Sequence, residues 1–263
     1  MLVFSAFTPH TPMLAPTVGR ANLVSLKKTT EALEKLAEEI ALANPEIILI
    51  ISEHGQIMEQ AFTINGSQNF QANFKKFGDL ETLLKFAGDP IFSYQLKEHS
   101  ETKIPLHLVD QQDLDRGASV PLIYLTKYLK NIKIIPLTHC GLDNKKHFFF
   151  GNHLNELIQK TPKRIAVIAT GDLSHTLTPN SPAGFSEAGK TFDNIIIETL
   201  KNKNVTPLVD LDESLEKSAV ECGLKPLLIL MGILNDYNYT AEILSYEFPF
   251  GVGYLTVHFE LNK

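Results

Sequence analysis

Arg164-Ile165-Ala166-Val167-Ile168-Ala169-Thr170-Gly171-Asp172-Leu173-Ser174-His175 is the stretch whose reading decides the fold. Its first half is a short, unbroken, β-branched apolar run, which reads as a strand buried on both faces and not as a helix. Gly171 ends the run. Ser174 and His175 come just past the strand's carboxyl end, the edge where α/β proteins bind ligands. Two more histidines repeat the pattern. His10 follows the apolar run over residues 2–7, and His54 follows Glu46-Ile47-Ile48-Leu49-Ile50-Ile51-Ser52-Glu53. Three histidines past three strand ends point to one convergent site.

Working outward, residues 25–44 predict an amphipathic helix. Leu26, Leu33, Leu36, Ala37 and Ile40 share one face, and Pro45 stops it. The strand–helix–strand unit this makes needs a crossover, so its strands pair in parallel. Pro9 and Pro12 bar a helix around His10 and hold the backbone extended. Residues 61–66 read as a further strand, and 68–79 as a loop packing Phe70, Phe74 and Phe77. Helices are expected over 90–99, 120–129, 145–159 and 187–200, with Asp115-Arg116-Gly117 as a turn. Residues 214–231 read as helical in two parts, broken at Gly223 and Pro226. Strands are expected over 104–109, 133–137, 241–246 and 253–259. Helices and strands alternate throughout, with no repeat, low-complexity tract or linker. The expectation is an α/β fold, a three-layer α/β/α sandwich with a mostly parallel (mixed) central sheet, as one domain over residues 1–263.

Composition narrows the function classes. The 263 residues carry a net charge of −6, are 44% apolar and 21% charged, and show no dominant basic patch, which argues against nucleic acid. No run of about 18 apolar residues is present, so no membrane span is expected. Two cysteines, Cys140 and Cys222, are too few for a disulfide framework. With no leader of secretory type at Met1-Leu2-Val3-Phe4-Ser5, the expected compartment is the cytoplasm.

The site's chemistry follows from residue type. Two imidazoles and one carboxylate form the facial triad of non-haem Fe(II) centres, which leaves positions open for substrate and oxygen. A further, unligated histidine can move protons near neutral pH. The chain offers His10 and His54 as ligands, Glu221 as a late carboxylate and His175 as a free base. Their spacing is long-range, with no local motif of the HExxH kind behind it.

Several short pieces run in one order along the chain. They are Thr8-Pro9-His10-Thr11-Pro12, Ile51-Ser52-Glu53-His54-Gly55, Asp115-Arg116-Gly117 with Val120-Pro121-Leu122, Gly171-Asp172-Leu173-Ser174-His175, Glu221-Cys222-Gly223, and Tyr246-Glu247-Phe248-Pro249-Phe250-Gly251-Val252-Gly253-Tyr254. With them the chain resembles the class III extradiol ring-cleavage dioxygenases, the family of the protocatechuate 4,5-dioxygenase B subunit. It is also similar to the Memo-like proteins that share that fold. The resemblance implies that His10, His54 and Glu221 hold Fe(II), and that His175 is the acid/base. It also implies a catechol-like aromatic diol and O2 as substrates, and relatives of this kind often form homodimers. Asp172 is expected to orient the loop or His175.

Two positions depart from the family pattern. Arg116 stands where many ring-cleaving relatives have a histidine, and it suits an anionic substrate group. Glu53 stands where proline is common. In the Memo-like branch a cysteine occupies a place that looks like Cys222, which gives the alternative of a metal- or ligand-binding protein without ring cleavage. A zinc hydrolase is a third reading, since two histidines and a glutamate also suit zinc. His139 and Cys140 lie past another strand end and could line the pocket. His99, His107, His147, His153 and His258 read as surface or core residues.

Overall fold

The structure, a computed structural model, describes residues 1–262. Strand β1 (Leu2–Thr8) leads through a short α1 (Pro16–Gly19) and a 3-10 stretch into α2 (Lys27–Ala43). Asn44 closes α2 in the left-handed region at φ 44°, which asparagine tolerates better than most residues. Next come β2 (Ile47–Ser52), β3 (Phe62–Asn65), β4 (Asn69–Phe74) and β5 (Asp79–Gly88). They lead to α3 (Pro90–Ser100), β6 (Leu106–Val109), α4 (Arg116–Leu125), β7 (Lys133–Thr138) and α5 (Asn144–Lys160). The run that opened the sequence reading is β8 (Ile165–Thr170). Helices α6 (Glu187–Asn202), α7 (Thr206–Val209), α8 (Glu213–Ala219) and α9 (Leu224–Leu234) precede the final strands β9 (Tyr239–Glu247) and β10 (Tyr254–Leu261). Asp89, Asp115, Asp143, Ser186 and Asp212 each cap the helix that follows with a side-chain oxygen on a first-turn amide.

The strands form one sheet in the order β4-β5-β7-β2-β8-β1-β10-β9, with β3 and β6 attached beside β7. From β5 to β1 every neighbouring pair on that path is parallel, and β10, β9 and β4 join antiparallel. All six residues of β2 and of β8 are buried. Their side chains alternate between two cores. Ile47, Leu49, Ile51, Val167 and Ala169 meet the layer of α5, α6 and α9, whereas Ile48, Ile50, Ala166 and Ile168 meet that of α2 and α4. This is the expected three-layer α/β/α sandwich around a mixed sheet.

Three local expectations are corrected. Residues 68–79 are not a loop but include β4, which pairs antiparallel with β5. Asn69-Phe70-Gln71-Ala72-Asn73-Phe74 alternates polar and apolar residues, the period of a strand buried on one face, and Phe70, Ala72 and Phe74 are its buried set. Arg116 and Gly117 are not a turn but the first residues of α4, which Asp115 caps and which ends at Leu125 rather than near residue 129. Pro226 does not break the late helix. It is the third residue of α9, where the missing N–H has no intrahelical acceptor to lose, and the break spans residues 220–223. Among the described residues no helix is long and apolar enough to cross a membrane.

Candidate metal centre

Strands β2, β8 and β1 are neighbours, so their carboxyl ends lie side by side. Thr8 pairs with Thr170 across β1 and β8, and Ile51 with Ala169 across β2 and β8. The residues just beyond therefore converge. His10 and His54 face each other with their Nε2 atoms 3.0 Å apart. His10 is fully buried and its Nδ1 is hydrogen-bonded to Thr170 Oγ1 at 3.2 Å. Asp172 accepts from the His10 backbone N–H at 3.0 Å, tying the β1 loop to the β8 loop.

The third donor is Cys222. Its Sγ lies 3.2 Å from His10 Nε2 and accepts from the Asp172 N–H at 3.3 Å. The segment between α8 and α9 delivers it. Cys222 N–H donates to the Asp172 carbonyl at 3.1 Å, and His175 N–H to the Ala219 carbonyl at 3.0 Å. Gly171 permits the approach, because a Cβ there would stand 2.1 Å from Gly223 Cα. His10, His54 and Cys222 place their ligand atoms within 4.8 Å of one another, and so do Asp172, His175 and Cys222. Cys222 is the vertex common to both groups.

Glu221, the carboxylate expected as third ligand, belongs to neither group. Its Oε2 accepts from the N–H groups of Gly223 (2.6 Å) and Leu224 (2.7 Å) at the start of α9. Two first-turn amides that have no intrahelical acceptor hold it there. In the tight connection between α8 and α9, where Val220 takes the left-handed conformation, Glu221 turns to α9 while Cys222 turns to the histidines.

Burial sets the protonation of the cluster. It holds His10 well below the ordinary imidazole range, with His54 and Arg116 adding to the effect. It lowers His54 to about 4, helped by Arg116 and His139, and it lowers His175, again helped by Arg116. The imidazoles are thus neutral at neutral pH, with lone pairs free. Burial, followed by the Asp172 and Glu53 carboxyls, pushes the Cys222 thiol well above its usual value. Burial also raises Asp172 to about 7, Glu53 to about 7 and Glu221 to about 8. A buried cluster of neutral N and S donors with no counter-charge of its own fits a metal cation, which ionises a coordinating thiol. The donor separations of 3.0 and 3.2 Å are close to those imposed by one ion with bonds of about 2.0–2.3 Å.

The surroundings are polar. Ser52 Oγ accepts from His54 N–H and donates to Asp115 Oδ1 at 2.5 Å, which ties the β2 loop to α4. Gly117 packs so closely that a Cβ would lie 2.2 Å from Ser52 Oγ and 3.2 Å from His10 Nδ1. Arg116 is exposed, close enough for its charge to act on His10, His54 and His175, and has no ion pair among the described residues. His139 Nε2 lies 4.0 Å from Glu53 Oε1, so His139 stands behind Glu53. A cavity of about 350 Å³ opens beside His54, lined by Gln56, Thr63, Asn65, Gln111 and Thr138 among others. Sequence reasoning named Glu53 only as a departure, and its placement beside the centre follows from its position before His54.

Residues 5–257 match the family model described as the catalytic LigB subunit of aromatic ring-opening dioxygenase. The chain belongs to that family. Protein CA_C1420 of Clostridium acetobutylicum is 30% identical over 256 residues, covering 94% of this chain and 55% of that protein. A MEMO1 family protein of Methanosarcina mazei is 25% identical over 129 residues, covering 47% of this chain and 45% of that protein. The chain therefore spans about half the length of the curated relatives it matches. The crystal structure of uncharacterized protein JW3007 from Escherichia coli K12 superposes with a TM-score of 0.69 at 19% identity, covering 97% of this chain and 99% of that one. That likeness shows a shared fold, and the MEMO1 relative supports the Memo-like branch.

Proposed function

We propose that this LigB-family chain is a Memo-like metal-binding protein whose ion is held by His10, His54 and Cys222. The observation that carries the reading is the 3.2 Å approach of Cys222 Sγ to His10 Nε2, with Glu221 engaged on α9 instead. A thiolate beside two imidazoles is a softer donor set than two histidines and a carboxylate, and it suits Zn(II) or Cu(I) better than it suits the oxygen-rich Fe(II) triad. The bound ion would supply Lewis acidity, or electrons if redox-active, to a small molecule beside His54. The chain's own residues do the rest. Asp172 fixes the His10 loop, Arg116 offers a planar cation to an anionic group, and His175 holds or moves a proton at Nε2.

Anaerobic calorimetry with Zn(II) and Fe(II), on the wild type and on Cys222→Ala and Glu221→Gln, tests this. One equivalent lost in Cys222→Ala and kept in Glu221→Gln is expected. The reverse pattern overturns the assignment.

A second reading is an Fe(II)-dependent extradiol dioxygenase cleaving a catechol-like diol with O2. It is favoured by the family and by His175 Nε2, which is buried without a hydrogen-bond partner and is therefore free to serve as a base. Oxygen uptake with a catechol panel on the Fe(II)-loaded protein, abolished in His175→Ala while metal content is kept, would establish it.

A further inference from the structure

Away from the strand ends, His99, His153 and Glu156 meet on the seam between α3 and α5. The two rings stack, with centroids 4.4 Å apart and 7° between planes. His153 is 2% exposed, and its Nε2–H donates to the His99 carbonyl at 2.9 Å. That bond fixes the tautomer and leaves Nδ1 a bare lone pair in the neutral ring. Nδ1 faces not a donor but a carboxylate, Glu156 Oε1, at 3.3 Å. His99 Nε2 likewise faces Glu156 Oε2 at 3.3 Å. Both nitrogens are buried without a hydrogen-bond partner, so both oxygens lie off the line of the ring nitrogens.

A ring-nitrogen lone pair and a carboxylate oxygen opposed at 3.3 Å repel unless a proton or a cation stands between them. The separation of 3.3 Å between His153 Nδ1 and Glu156 Oε1, off the nitrogen axis, is close to what two ligands adopt around a tetrahedral ion with bonds of about 2.0–2.1 Å. A hydrogen bond would instead place the oxygen on the axis. We propose that His99, His153 and Glu156 form a second divalent-cation site, with the two-histidine, one-carboxylate donor set that takes Zn(II), which fastens α3 to α5. The His153 bond to the His99 carbonyl is the kind of outer contact that orients a metal-ligating imidazole. Binding needs the His99 ring to turn out of its stack, which its place in the last turn of α3 allows. It also needs Lys103, whose Nζ is 3.6 Å from Glu156 Oε1 on an exposed stem, to swing into solvent. The fourth position is open to water. The site is independent of the strand-end centre and shares no residue with it.

The test is Zn(II) stoichiometry after dialysis against micromolar free Zn(II), on the full chain and on Glu156→Gln, His99→Asn and His10→Ala. Glu156 and His99 are part-exposed, so these two variants keep the fold, which circular dichroism checks. One equivalent fewer in both Glu156→Gln and His99→Asn than in the wild type, with that equivalent kept in His10→Ala, is the expected result. It holds whether or not the strand-end centre binds zinc. Co(II) in place of Zn(II) should give tetrahedral visible bands in His10→Ala that vanish in the double variant with Glu156→Gln. Stoichiometry unchanged by Glu156→Gln, or zinc lost entirely in His10→Ala, overturns the proposal.

Discussion

Two cysteine–histidine pairs lie beyond neighbouring parts of the same sheet edge, and only one of them has chemistry left to do. Beyond β7, Cys140 Sγ stands 4.0 Å from His147 Nε2, but that nitrogen already accepts from the Cys140 N–H at 3.3 Å. The other ring nitrogen, Nδ1, donates to the Asp143 carbonyl at 2.8 Å, and the ring packs edge-on against Phe62. Every valence of His147 is spent on the fold. Beyond β1, His10 Nε2 faces His54 Nε2 and Cys222 Sγ, with no backbone group between them. Both pairs are buried and both imidazoles are neutral, His147 lowered to about 4 chiefly by burial. What separates the two imidazoles is an unspent lone pair, not residue type or burial.

The comparison is broken most severely by removing the convergent donors. His10→Ala or Cys222→Ala should weaken metal binding at least about 10³-fold, one ligand's share of the roughly 10–16 kcal/mol such centres provide. Calorimetry measures it, and Cys140→Ala should leave affinity within about twofold. His147→Ala should do the opposite. Metal affinity stays, while stability in urea falls by about 2–4 kcal/mol, from the cavity beside Phe62 and the orphaned Cys140 amide.

Asp193 sharpens the contrast from a third position. It accepts from the Ser174 N–H (2.9 Å) and the Tyr246 hydroxyl (2.7 Å), behind the His175 loop. Its bonds are complete but its charge is uncompensated, and burial raises it to about 7. An unfolded aspartate titrates near ~3.9. Between these values the folded chain binds more protons than the unfolded one, so this group makes stability fall as pH rises towards 7. Asp193→Asn should remove about 1–2 kcal/mol of that decline between about pH 5 and 7, measured as a flatter stability profile. The smallest effect is expected at Glu221. Glu221→Ala should cost about 1 kcal/mol through the lost amides of Gly223 and Leu224, and metal should remain. Loss of metal in that variant would return Glu221 to the ligand set.

Much of the fold was legible because it is written locally. The unbroken apolar runs of β2 and β8 and the helical-period stripe of α2 state their own burial, and they fix three layers with a parallel centre. The hairpin of β4 and β5 was hidden behind its phenylalanines, whose strand period was present in Asn69–Phe74 but lay among exposed lysines and glycines. The histidines could be placed at strand ends for the same local reason that made the strands readable. Sequence by itself determined the scaffold, the family, and the fact that His10, His54, Asp172 and His175 lie beyond strand ends at one edge of the sheet. Which of Glu221 and Cys222 turns inward was decided only in three dimensions. The choice rests on where α9 begins, on which amides lack acceptors there, and on Gly171 letting Gly223 approach. The pairing of His99 with His153 across α3 and α5 was likewise invisible, because residues 54 positions apart meet only when two helices have packed.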